Sequence, residues 1–115
     1  MNEIVVCRGT SFTRSLQIFV KDGENFTPYV HSQGDIVTLT VKHNVLQSGY
    51  DIRKTASFDS ATDTYTFEFT PSDTENLAPD RYYYDIGLQT GDDFYIIVPM
   101  ANFDILPTSS QRSVE

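Results

Sequence analysis

The sequence predicts an all-β fold, an antiparallel sandwich of about seven to eight strands, and three observations carry that prediction. Period-two alternation of apolar and polar residues recurs along the chain, while helical periodicity never persists for three turns. Turn-forming clusters separate the alternating runs every eight to twelve residues or so, the spacing of a sandwich. Fifteen aromatic residues, eight Phe and seven Tyr with no Trp, join many Val, Ile and Thr, a composition that suits strands.

Each element follows in order. Ile4–Cys7 is a short apolar strand closed by Arg8-Gly9-Thr10. Phe12, Leu16, Ile18 and Val20 then alternate with Thr13, Ser15 and Gln17, and Asp22-Gly23 marks a hairpin turn. Val37, Leu39 and Val41 are expected to face the core, with Thr38, Thr40 and Lys42 facing away. Tyr50 to Phe58 reads as a weaker, edge-like strand, and Asp59 to Asp63 as a loop. Tyr65, Phe67 and Phe69 form the clearest strand. Thr70 to Leu77 reads as one helical turn, with Thr70 as N-cap and Pro71 at the first position. Tyr82 to Leu88 and Phe94 to Leu106 are the last strands, joined through Thr90-Gly91-Asp92-Asp93, with a bulge or edge expected at Pro99. One domain is expected over 1–106, followed by a polar, flexible tail over 107–115.

Leu77-Ala78-Pro79-Asp80-Arg81-Tyr82 fits the tyrosine corner of Greek-key sandwiches, in which the Tyr hydroxyl bonds a backbone group upstream. Leu77, Pro79 and Tyr82 are its structural residues, and they make the expected sandwich immunoglobulin-like. Asp80 stands where Gly is commoner, and Asp tolerates left-handed backbone angles better than most residues.

Composition narrows function. The formal charge is −8 and the basic residues are scattered, which argues against binding nucleic acid or an anionic membrane surface. A single cysteine rules out an internal disulfide and favours a reducing interior. No signal peptide is visible at the start of the sequence, and no apolar run reaches the roughly 20 residues of a membrane span.

No pattern of an enzyme emerges. There is no Gly-x-Ser-x-Gly elbow, metalloprotease motif or phosphate loop. His31 and His43 read as exposed surface histidines, and Cys7 as a buried, inert thiol. Asp59, Asp63, Asp92 and Asp93 read as solvated turn residues rather than calcium ligands. No cofactor or metal is expected. Asn25-Phe26-Thr27 is a formal glycosylation sequon, read as accidental.

The positive signal is a set of apolar residues out of phase with the core. Phe19, Tyr83, Ile96 and Val98 are expected to point outward, where a sheet facing water should be polar. They form the candidate protein–protein interface. In the other binding reading, Tyr50, Tyr83 and Tyr95 stack on sugar rings, as in a bacterial carbohydrate-binding or adhesion module.

Beyond the corner, the chain resembles the N-terminal domain of the phage baseplate upper protein family and related small β-sandwich virion proteins. The matching stretches are Arg8-Gly9-Thr10-Ser11-Phe12, Asp22-Gly23, Val37-Thr38-Leu39-Thr40-Val41-Lys42, the Lys54 region, and Thr64-Tyr65-Thr66-Phe67-Glu68-Phe69-Thr70-Pro71. Asp73-Thr74 with Leu77 and Pro79, Tyr82-Tyr83-Tyr84-Asp85-Ile86, and Phe103-Asp104-Ile105-Leu106-Pro107-Thr108 complete the series. Together they run over roughly residues 5–108. The chain departs from the family over 27–34. The family module also precedes a long receptor-binding or oligomerising region, and a stand-alone module without one is expected here. The resemblance implies a non-enzymatic virion component, a tail or baseplate adaptor or else a neck or capsid decoration protein. Its expected partners are sibling or neighbouring virion proteins.

Overall fold

The structure is a computed structural model and describes residues 2–110. It is all-β apart from one helical turn. Its elements are β1 (Ile4–Cys7), β2 (Phe12–Leu16), β3 (Phe19–Asp22), β4 (Asn25–Pro28), β5 (Ile36–Lys42), β6 (Ile52–Thr55), β7 (Ser57–Asp59), β8 (Thr64–Phe69), α1 (Pro71–Thr74), β9 (Asp80–Thr90) and β10 (Asp93–Leu106). A five-stranded sheet runs β1-β10-β9-β5-β6, a three-stranded sheet runs β2-β8-β7, and β3-β4 is a separate hairpin. Every pairing is antiparallel except β1 with β10.

Alternation places one core between the two larger sheets. Ile4, Val6, Leu39, Tyr84, Ile86 and Phe103 from the five-stranded sheet share it with Tyr65, Phe67 and Phe69 of β8. Phe67 and Phe103 are wholly enclosed, at 0% exposure. Phe12 stacks on Phe69 with centroids 4.2 Å apart, and Phe103 tilts against both. Such ring pairs contribute about 0.5–1.5 kcal/mol beyond their area burial.

Two junctions explain why ten strands form rather than seven or eight. The run from Phe12 to Val20 divides at Gln17-Ile18. Its first half pairs with β8, and its second half leaves the core to form the β3-β4 hairpin, so Val20 is exposed and not a core residue. Gly23, at φ 62°, supplies the first loop position between paired Asp22 and Asn25. The run from Tyr50 to Phe58 divides at Ala56, whose N–H bonds the Val37 carbonyl. One residue there carries the chain from the five-stranded sheet to the three-stranded one.

The segment after β8 is tied at several points. Asp73 accepts from the Thr70 N–H at 2.7 Å and pairs with Lys54 at 2.8 Å. Buried Thr74 accepts from the Gly9 N–H at 2.8 Å, which docks the turn after β1 on α1. The Tyr82 hydroxyl donates to the Ala78 carbonyl at 2.8 Å, Leu77 packs against the core, and Pro79 is exposed. The start of the expected tail is held by Thr108, which donates to the Arg8 carbonyl. Residues 111–115 of that tail lie outside the described residues.

Candidate functional site

Pairing register sorts the side chains of the five-stranded sheet into two faces. Val37, Leu39, Val41, Tyr82, Tyr84, Ile86 and Leu88 point inward. Ile36, Thr38, Thr40, Lys42, Tyr83, Asp85 and Gly87 therefore point outward. On β10, Phe94 lies opposite Gln89 and Ile96 opposite Gly87, so both join the outer face. Phe94 is 63% exposed, Met100 59% and Ile96 50%. At the β1 edge, Val5 lies opposite Asp104 and is also exposed.

The three-stranded sheet provides an internal comparison. Its outer positions are Thr13, Ser15, Ser57, Asp59, Thr64, Thr66 and Glu68, all polar. Ser15 and Thr66 share a 2.9 Å hydroxyl hydrogen bond across strands. The chain thus makes one outer face wholly polar, as water demands, and sets exposed apolar residues among the polar ones of the other. Strand positions of the apolar face carry three cations (Lys42, Arg53, Arg81) and two carboxylates (Asp85, Asp104). That is a net of +1 on a chain of net −8, so this face does not share the acidic character that repels other acidic molecules.

Local chemistry fixes this surface. Arg81 holds Asp104 through two bonds, at 2.9 and 3.1 Å, and this pairing keeps the Asp104 carboxyl below the usual carboxylate range. Gly87 has no side chain because the Phe94 ring lies over it. A Cβ there would stand 2.6 Å from two ring carbons. Tyr83, Val45 and Met100 line a shallow depression of about 200 Å³ with Thr40, Lys42 and Asp85. Beside it, the loop after β5 carries Leu46 at 89% exposure. That loop is braced from within: Asn44 accepts from the Leu46 N–H, and the Gln47 side chain accepts from the Asn44 N–H. Its exposed leucine is held out by an ordered backbone.

Tyr83 and Ile96 lie on this face, whereas Val98 does not. Register shifts between Ile96 and Val98 and between Val98 and Ala101 bracket Pro99. The first shift sets Val98 opposite Ile86 and packs it against the core, so Val98 leaves the candidate set of outward residues. Phe19 is exposed, but on the separate hairpin, with Phe26 on the same side. The hairpin is anchored at its base. The Tyr29 N–H bonds the Ile18 carbonyl, and the Tyr29 hydroxyl donates to Asp35 at 2.6 Å. Despite partial desolvation, bonds from Tyr29 and the Ser32 N–H hold the Asp35 carboxyl below its ordinary value.

The expectations for Cys7 and His31 change, and that for His43 holds. Cys7 is exposed, because Ile4 and Val6 take the inward positions of β1. His31 is half-buried rather than on open surface: it stacks on Phe58 at 4.0 Å and bonds the Tyr65 hydroxyl at 3.0 Å. His43 is exposed and bonds Asp80 at 2.8 Å while stacking on Tyr82. Tyr50, Tyr83 and Tyr95 do not form one platform. Arg53 covers the Tyr50 ring at 4.4 Å, Tyr83 is on the outer face, and Tyr95 lies opposite inward-facing Leu88. Among the described residues, no three His, Cys, Asp or Glu side chains cluster as metal ligands. Among the described residues, no helix is long and apolar enough to cross a membrane.

Phe94, Met100, Ile36, Val5 and Leu46 are surface residues that alternation alone did not reveal. The signal for two of them, Phe94 and Met100, was present in the sequence: no charged residue stands between Phe94 and Phe103, and the phase slip at Pro99 hid which side each residue takes. In sequence, the chain matches no protein-family model and no curated protein.

Proposed function

We propose that this chain is a non-catalytic assembly component of a phage or prophage particle, joining sibling or neighbouring virion proteins through the outer face of its five-stranded sheet. The observation that carries the binding reading is the contrast between the two outer faces. One presents Phe94, Ile96, Met100 and Tyr83, and the other presents Ser, Thr and acidic residues. Exposed aromatic and long aliphatic side chains among polar neighbours are what protein interfaces use. The virion assignment rests on the resemblance over residues 5–108. The tail or baseplate is the first location in this reading, and a neck or capsid decoration role would use the same surface.

The proposal includes an immunoglobulin-like sandwich. Strand order supports it: β1-β10-β9-β5-β6 against β2-β8-β7 follows the division of an immunoglobulin domain into its two sheets. The hydroxyl bond of Tyr82 stands where a tyrosine corner belongs, at the start of β9. Two residues on, where antibody domains place a cysteine, Tyr84 packs edge-on against Phe103. Rings occupy the inter-sheet space that a disulfide fills elsewhere.

The test is the protein content of purified particles, made with the wild-type chain and with Phe94→Ser and Ile96→Ser. Fixed stoichiometry in wild-type particles, lost with either change, is expected. A chain found only in host cytosol and never in particles contradicts the proposal.

A further inference from the structure

β10 is paired with β9 along its length, but β1 covers its other side only from Phe103 to Leu106. Among the described residues, Asp93 to Met100 therefore form a free sheet edge. Unpaired edges normally carry charges that block pairing with other chains. Here the open stretch after Asp93 is Phe94-Tyr95-Ile96-Ile97-Val98, with no charge. Phe94, Tyr95 and Ile96 are each at least half exposed. The straight part of this edge ends after Ile96, where the register slips.

We propose that the Phe94–Ile96 edge pairs antiparallel with the same strand of a second copy, about a two-fold axis at Tyr95. This rests on the assembly reading above and names the partner of its edge. A two-fold contact must be self-complementary, and this strand is. With Tyr95 facing its own copy, Phe94 meets Ile96 of the second chain and Ile96 meets its Phe94. These four apolar side chains continue the outer face across the junction. The two Tyr95 rings pair on the opposite side, as cross-strand aromatics do. Asp93 falls opposite Ile97, so no carboxylates oppose one another, which an acidic chain requires.

The test combines sedimentation velocity with cysteine cross-linking in a Cys7→Ser background. Wild type is expected to dimerise reversibly. Tyr95→Lys sets two ammonium groups face to face and is expected to weaken the dimer by roughly tenfold or more. Because Tyr95 is exposed, this variant retains the wild-type unfolding midpoint. Tyr95→Cys is expected to form a disulfide-linked dimer under mild oxidation, and Tyr83→Cys is not. A chain that stays monomeric at all concentrations overturns the proposal, while particle incorporation lost with Phe94→Ser still upholds the assembly reading. A dimer that cross-links through Tyr83→Cys and not Tyr95→Cys also overturns it, since the copies then meet face to face.

Discussion

Gly87→Ala separates the stability of the fold from the state of its apolar face. A Cβ at position 87 would stand 2.6 Å from Cε1 and Cζ of Phe94 and 3.6 Å from the Tyr95 carbonyl. Only the ring contact is too close, and the ring end of a 63% exposed side chain can move. Reaching ordinary contact takes a displacement of about 1 Å. Phe94 buries about a third of its side chain, so losing its seat costs roughly 1 kcal/mol, scaled from the 1.5–3 kcal/mol of full burial. Replacing a strand glycine returns about 0.5–1 kcal/mol through the unfolded chain. The two effects nearly cancel, and the melting temperature should move by less than about 5 °C. Assembly should weaken, because Phe94 no longer lies flat beside Ile96. The assay is thermal unfolding alongside particle incorporation. A fall of more than about 10 °C would show that the ring is locked and that this face belongs to the core. Unchanged stability with unchanged incorporation would show that Phe94 is not at the contact.

Three further predictions concern the fold that carries this face. Phe67→Ala, at 0% exposure between the sheets, should cost about 3–5 kcal/mol in denaturant unfolding. Tyr82→Phe removes the hydroxyl bond to the Ala78 carbonyl and should cost about 1 kcal/mol, read the same way. Burial pushes the Tyr65 hydroxyl from 10.0 up to about 12. Its folded value therefore lies above its unfolded one, so its contribution is complete below pH about 10 and is lost as pH rises towards about 12. Tyr65→Phe should flatten this alkaline limb in unfolding curves taken across that range.

Much of the framework was legible because alternation and burial coincide in β5, β8 and β9. Val37, Leu39 and Val41, like Tyr65, Phe67 and Phe69, are buried at every second position. The helical turn was legible from Thr70-Pro71, and the upstream bond of the Tyr82 hydroxyl from the Leu77-to-Tyr82 motif. Alternation misled where a strand leaves the core without losing its pattern. Val20 continues the phase of Leu16 and Ile18, but its strand pairs only with β4. Ala56 moves the chain between sheets with no glycine or proline to mark the switch. At Val98 the slip around Pro99 exchanges faces, so a candidate interface residue became a core neighbour while Met100 came to the surface. Five apolar residues in a row, Phe94 to Val98, leave the phase undecided until pairing sets it. Tyr83 and Ile96 were placed correctly because regular pairing extends to both.

In the assembled state the outer face of the five-stranded sheet is expected to be covered. Oxidative footprinting checks this by comparing Met100 and Tyr83 in the free chain and in purified particles. Met100 is 59% exposed in the free chain and should oxidise readily there. Both residues should become strongly protected in particles, while residues remote from this face keep their labelling. Equal oxidation of Met100 in the two states would contradict it.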